Sequence, residues 1–303
     1  PGIISVYLGA ELTEILEDIA NDRKVHNRTR EKFHISETLP VLFKDTCDRN
    51  RTSPFAFTGN KFEFRMPGSS CSVSDANTVI NTIVADSFKH FADILEKAED
   101  FDKEVDKLIK ETVNKHGRII FNGNNYSEEW VEEAKKRGLP VLNSTPEAVD
   151  CLVDKKNVQL FERFGIFSEA DLVSRHEIKM ENYCKIISIE ARTMLEIAKR
   201  EILPAAMDYA RTVYGSVSMK TDIGLDASTE RELATYISDN ITGLSKCISK
   251  LEKVTEQSVD AYAFKDHVVP AMKELRHFAD SLECVVAKSY WPMPAYSDIL
   301  YSV

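Results

Sequence analysis

The sequence predicts an α+β chain: a β-containing segment over residues 1–66, then a mainly helical region over 67–303 built around a long antiparallel helical hairpin. Three patterns carry this reading. KFEFR, residues 61–65, alternates charged and aromatic residues with the period of two expected of a strand with one apolar and one polar face. Residues 166–203 contain neither glycine nor proline. A second long helical pattern runs from Ser228 to about Val286, with Leu233, Ile237, Ile241, Leu244, Ile248 and Leu251 recurring at three- and four-residue spacing.

Each element has its own local warrant. Residues 3–8, IISVYL, are β-rich and closed by Gly9, and read as a buried strand entered directly from Pro1, as if in the middle of a domain. Ala10 to Asn21 is helical, with Leu12, Ile15, Leu16 and Ile19 on one side. Residues 22–50 are polar and irregular around an apolar knot at Val41-Leu42-Phe43; His26 and His34 there read as surface residues. Pro67-Gly68-Ser69-Ser70 is a turn, and Ser72 or Ser74 caps a helix over about 75–97, followed by a charged helix over 100–115 that Gly117 stops.

Residues 118–142 have a strand–helix–strand rhythm: RIIF, then Ser127 capping EEWVEEAKKR, then PVL after Gly138. The intervening Asn122-Gly123-Asn124-Asn125 lacks both glycine-rich phosphate-binding patterns, and reads as a turn and helix entry. Thr145-Pro146-Glu147 starts a helix, with threonine at the cap and proline at the first helical position. Ser168 opens an S-x-x-D capping box for the long run that follows. The Gly215–Gly224 stretch links the two long patterns; the second is interrupted near 254–263, and Pro270 kinks or continues it. The tail, YWPMPAYSDILY, reads as an extended strap over a groove. The apolar stripes of these helices are core packing.

Composition excludes several classes. Hydrophobic content of 43 % with 29 % charged residues is that of a water-soluble globular chain, and no apolar run approaches the roughly 18 residues that span a bilayer. A net charge of −10 argues against general nucleic-acid binding, which wants a basic face. The cysteines at 47, 71, 151, 184, 247 and 284 form no C-x-x-C pair and no metal-spaced set with histidine, and read as free thiols in a reducing cytoplasm.

Against this acidic background, residues 44–66 are locally cationic: Lys44, Arg49, Arg51, Lys61 and Arg65 face Asp45, Asp48 and Glu63. Period-two alternation puts Lys61, Glu63 and Arg65 on one face of a sheet, with alternate residues roughly 7 Å apart. Cation, carboxylate, cation on one wall suits a phosphate-bearing ligand with a metal ion. The plain alternative is a solvated strand face with weak ion pairs.

NRTSPFAFTGNKFEFR, with Asn50-Arg51-Thr52-Ser53 followed about ten residues later by Glu63-Phe64-Arg65, resembles the end of the catalytic domain of glutamine synthetases, the large type III branch in particular. The resemblance spans the chain as the C-terminal part of a longer enzyme, with residues 1–66 as the end of the catalytic β-sheet domain. It implies ATP-dependent ligation of ammonia to glutamate through a γ-glutamyl phosphate, with ATP and Mg2+ or Mn2+ as cofactors and a homo-oligomeric ring in the cytoplasm. By motif match Glu63 is a metal ligand, and Arg65 and Arg51 are catalytic: Arg65 contacts the transferred phosphate or stabilises charge developing on it, and Arg51 contacts the ATP phosphates or the glutamate substrate. Arg51 and Lys61 contact ATP, while Asn50 and Ser53 support the loop.

There are departures. Ala56 stands where type I and II enzymes carry a second arginine, Lys61 where arginine is common, and M-P-G follows Arg65 in place of an F-P-D-like run. The family's remaining metal carboxylates and its flap glutamate are expected upstream, so this chain alone is expected to be inactive. The alternative is a non-catalytic helical oligomerisation or regulatory module derived from a ligase.

Overall fold

The computed structural model describes residues 3–23, 32–33, 42–43, 52–66, 68–69, 71–294 and 296–301. The chain divides into two compact units, Pro1–Asn143 with Val153–Glu169, and Ser144–Leu152 with Ala170–Val303.

The first unit carries the sheets. Strand β1 (Val6–Tyr7) is followed by helix α1 (Ala10–Ala20). Strands β2 (Lys32–Phe33) and β3 (Leu42–Phe43) pair antiparallel, a ladder inside the stretch expected to be irregular. Strands β4 (Phe55–Phe57) and β5 (Phe62–Phe64) complete a sheet of order β1-β4-β5, parallel between β1 and β4 and antiparallel between β4 and β5. The β4–β5 turn closes with Thr58 N–H donating to Lys61 O at 2.8 Å, and Gly59 at φ 93° supplies the left-handed step.

Helices α2 (Ser74–Leu95) and α3 (Phe101–His116) follow, close to the expected spans. Asp100 caps α3 by accepting from Lys103 N–H. The cap of α2 differs from expectation: Val73 occupies the N-cap and makes no side-chain bond, while Ser72 Oγ accepts the Ser74 N–H at 3.2 Å. Gly117 caps α3 and opens a 3-10 turn, Gly117–Ile119.

The strand–helix–strand reading of 118–142 is corrected. Only the helix, α4 (Glu128–Lys136), forms as expected, with Ser127 Oγ accepting from Trp130 N–H. Ile120 makes one isolated parallel bridge to Val6, and residues 139–143 are not a strand. The physical reason is packing: the Phe121 ring turns to stack on Trp130, centroids 4.1 Å apart, and Ile119, Phe121 and Val141 cover a small core of Ile3, Trp130, Ala134 and Leu139.

Helix α5 (Thr145–Asp150) belongs to the second unit. Its cap is Ser144, one residue before the expected Thr145, because Glu147 at the third helical position closes a reciprocal capping box with it. A 3-10 turn (Cys151–Val153) leads back to α6 (Lys155–Arg163) in the first unit, where Arg163 Nη1 meets Asp86 Oδ1 on α2 at 2.5 Å.

The second unit is helical. Helix α7 (Glu169–Ile197) passes through a π-turn (Ala198–Ile202) into α8 (Leu203–Asp222). Helix α9 (Ser228–Gln257), short α10 (Ala261–Ala263), a second π-turn (Phe264–Val268) and α11 (Val269–Glu283) follow. The connection from α8 to α9 is 223–227, not the whole Gly215–Gly224 stretch: α8 continues through Gly215, and Gly224 at φ 76° ends it. The second pattern breaks at 258–260, within the expected interval, and Pro270 continues it, lying in the first turn of α11 directly after the π-turn. Helix α9 packs against both α8 and α11. Leu244, Leu251, Ile237, Val268 and Leu282 are fully buried in one continuous core. The tail is corrected too: Tyr296–Tyr301 form helix α12, since no proline follows Pro294 to prevent it, and Lys288 pairs with Asp298.

Candidate functional site

Strand β5 and its two flanking residues bring the predicted wall together. Glu63 Oε2 accepts from Arg65 Nη2 at 3.2 Å and Nε at 3.3 Å, while Oε1 faces Lys61 Nζ at 3.4 Å. One carboxylate held by both cations is possible only if the three side chains leave the same face, as period-two alternation requires. Arg65 is nearly covered at 14 % side-chain exposure, whereas Lys61 is open at 66 %. Arg65, and after it Lys61, hold the Glu63 carboxyl below its ordinary range, so it is ionised at neutral pH.

The backbone locks this wall to β4. Arg65 N–H donates to Pro54 O at 2.8 Å, and Glu63 stands directly opposite Ala56 in the ladder. Ala56 is fully buried. Directly opposed residues in an antiparallel pair share a face, so the position expected to hold arginine in other branches lies beside Glu63, and alanine there brings no third cation. Ser53, also fully buried, donates its hydroxyl to Phe55 O at 3.2 Å, consistent with the loop-supporting part expected of it. Asn50 and Arg51 lie outside the described residues.

Lys61 and Arg65 present positive charge that can meet an anion, with Glu63 between them as a hard oxygen donor. A divalent ion takes about six oxygens, and among the described residues no three histidine, cysteine or carboxylate side chains gather into a metal-holding group. Glu63 therefore fits as one ligand, and the described residues alone do not fit a complete metal centre.

Two clusters went unpredicted. Asn122 Oδ1 accepts from Leu8 N–H at 3.2 Å and Gly9 N–H at 3.1 Å, and Asn125 Oδ1 accepts from the Ser5 hydroxyl. In the second unit Asp150 Oδ1 meets His176 Nε2 at 2.8 Å, Asp150 also accepts from the Tyr262 hydroxyl, and Glu147 pairs with Lys265 at 2.9 Å. These partners are far apart in sequence, and no local spacing announces them. Among the cysteines described, 71, 151, 184, 247 and 284, none is joined in a disulfide.

With this geometry in place, relatives are informative. Residues 104–221, from α3 through α8, match the family profile described as glutamine synthetase C-terminal domain. A protein named type-3 glutamine synthetase from Dictyostelium discoideum is 38 % identical across 99 % of this chain and 43 % of its own length. Over its whole length the chain resembles glutamine synthetases. A glutamine synthetase from Butyrivibrio fibrisolvens is 33 % identical over all of the chain and 45 % of its own length, and one from Bacteroides fragilis is 31 % identical over all of the chain and 44 % of its own. The chain thus spans less than half the length of these glutamine synthetases. The profile begins beyond β5, so the Lys61–Glu63–Arg65 wall lies in the part of the glutamine synthetase likeness that only the whole-chain relatives cover. Among the described residues no helix is long and apolar enough to cross a membrane.

Proposed function

We propose that this chain is the C-terminal part of an enzyme that ligates ammonia to glutamate at the expense of ATP, by way of a γ-glutamyl phosphate. The observation that carries the reading is the convergence of Lys61, Glu63 and Arg65 on one face of β5, in a chain whose relatives are glutamine synthetases. Phosphoryl transfer needs positioned positive charge more than covalent chemistry from the protein. Arg65, whose Nε and Nη2 are fixed on the Glu63 carboxylate, is a pre-oriented positive charge for an anionic phosphoryl group, and its cover from solvent strengthens that interaction. Lys61 contacts the ATP phosphates as an exposed, mobile point charge. Arg51 contacts the ATP phosphates or the glutamate substrate. Glu63 would supply one oxygen ligand to a Mg2+ or Mn2+ completed by ligands from the rest of the enzyme, an ion that would screen phosphate charge when bound.

Cytoplasmic localisation and a homo-oligomeric ring belong to the same proposal. The long antiparallel hairpin of the proposal consists of α8, with the π-turn that leads into it, and α9; Lys199 of the π-turn pairs with Glu252 of α9, and Lys220 of α8 with Glu230 of α9. Its outward apolar side chains, Met207, Tyr214, Met219 and Ile223, support subunit contacts. The same side chains favour the second reading, a non-catalytic helical assembly module.

One assay separates the two: phosphate release from ATP by the enzyme containing this chain, with and without glutamate and ammonia. Glutamate- and ammonia-dependent release that falls at least about a hundredfold in Glu63→Ala is expected. Turnover that is unchanged in that variant removes Glu63 from the site, and release that never depends on both substrates leaves the assembly-module reading.

A further inference from the structure

Of the described residues, the buried polar ones are Ser5, Ser53, Thr82 and Asn125, and all but Thr82 gather at one place, the entry to β4. A buried polar group stabilises little on balance and is costly when unpaired, so such a concentration fixes a particular geometry more than it adds stability. The connections form a path. Ser5 donates to Asn125 Oδ1, and the Asn125 side-chain amide donates to Gly123 O at 3.4 Å. The backbone N–H of Asn125 donates to Thr52 O at 3.1 Å. Two residues on, Pro54 O accepts the backbone N–H of Arg65. Asn125 is thus joined to Arg65 through three consecutive residues of one strand entry.

The loop carrying Asn125 is itself pinned. Asn122 holds the end of β1 at Leu8 and Gly9, and its amide donates to Thr13 Oγ1 on α1 at 2.9 Å. A Cβ on Gly123 would come within 2.6 Å of the Phe121 ring, which cannot retreat freely because it is stacked on buried Trp130 under the Arg137 guanidinium. The loop from 121 to 125 is thus tied down through Phe121, Asn122 and Asn125.

We infer that Asn125 is a positioning residue for the phosphate-binding wall: braced by Ser5 and by the contacts of the 121–125 loop, it sets the height of Thr52–Pro54 and through Pro54 the placement of Arg65. This rests on the reading of Arg65 as a phosphoryl contact given above. A phosphoryl contact displaced by about 1 Å loses on the order of a hundredfold in rate, so a brace this close reads out in turnover.

The experiment uses the enzyme containing this chain, with kcat, KM for ATP and for glutamate, and thermal midpoint measured for Asn125→Ala, Ser5→Ala and Glu63→Ala. Expected is a fall in kcat of about tenfold or more for Asn125→Ala and a smaller fall for Ser5→Ala, with KM for glutamate within about twofold of the parent. Ser5→Ala also lowers the midpoint by a few degrees, because Asn125 Oδ1 loses its donor, so kcat is read at a temperature well below both midpoints. A lowered midpoint with kcat unchanged in both variants makes the cluster structural only and overturns the inference. If Asn125→Ala does not fold, Ser5→Ala decides on the same criterion. Glu63→Ala separates the failures: kcat lost there but kept in Asn125→Ala sinks the brace alone, whereas kcat kept in Glu63→Ala sinks the site reading beneath it.

Discussion

The two units solve the same problem by different means. The helical unit is held by an apolar seam in which α9 lies against α8 and α11, with Leu244, Leu251 and Ile237 excluded from water. The unit that carries the candidate site has strands of two or three residues, a small apolar centre around Trp130, and a sheet secured by buried serine and asparagine. Burial is non-directional and tolerant of small shifts; hydrogen bonds fix position but contribute less net stability. The comparison teaches that fold stability and site geometry reside in different places in this chain, so that one can be damaged while the other survives.

The sharpest way to break that contrast is to compare truncations in the two units. Leu244→Ala removes a fully buried side chain and is expected to cost about 2–5 kcal/mol. Phe62→Ala, on β5, removes a ring that is 49 % exposed and stacked on Phe55 at 5.4 Å, and is expected to cost only about 1 kcal/mol. Denaturant unfolding midpoints check both; equal losses would mean that the site-bearing sheet is as much a part of the stable core as the helical seam.

A smaller effect sharpens the contrast through pH. Arg65 and Lys61 lower the folded-state pKa of Glu63, so the unfolded chain binds that proton more readily. The contribution is present above the unfolded carboxylate pKa and is lost as pH falls through the lowered folded value. Glu63→Gln is therefore expected to be less stable than the parent at neutral pH, with the gap closing only on the acid side of the ordinary carboxylate range. Thermal midpoints of the two proteins between neutral and acid pH test this. A gap that is independent of pH would show that the pairing adds nothing through ionisation.

How much of this was legible in the sequence follows from the range of the interactions. Helices α2, α3 and α4 and the Ser127 cap were readable because their signals lie within one or two turns. So was the shared face of Lys61, Glu63 and Arg65, which period-two alternation alone dictates. The partner strand β4 and its register against β5, with Ala56 opposite Glu63, were not, because pairing is decided by packing between segments. Residues 118–142 misled for the same reason: RIIF has strand composition, but Phe121 gains more by stacking on Trp130 than by extending a ladder. Gly215 misled in the other direction. It looks like a break, yet buried Ala210 and Val213 just before it hold α8 in the core, and that packing outweighs the roughly 1 kcal/mol that glycine costs a helix. The brace at Asn125 left no local trace, since its partner Ser5 lies 120 residues away.

In the proposed function Arg65 is held in place to bind a phosphoryl group, and its planar fork is the feature that distinguishes this from a surface ion pair. The most direct measurement is kcat of the enzyme containing this chain with Arg65→Lys, which keeps the charge and removes the planar pair of donors. A fall of about a hundredfold with an unchanged thermal midpoint is the predicted result. Wild-type kcat in that variant would contradict it and return the Lys61–Glu63–Arg65 wall to the status of a solvated strand face.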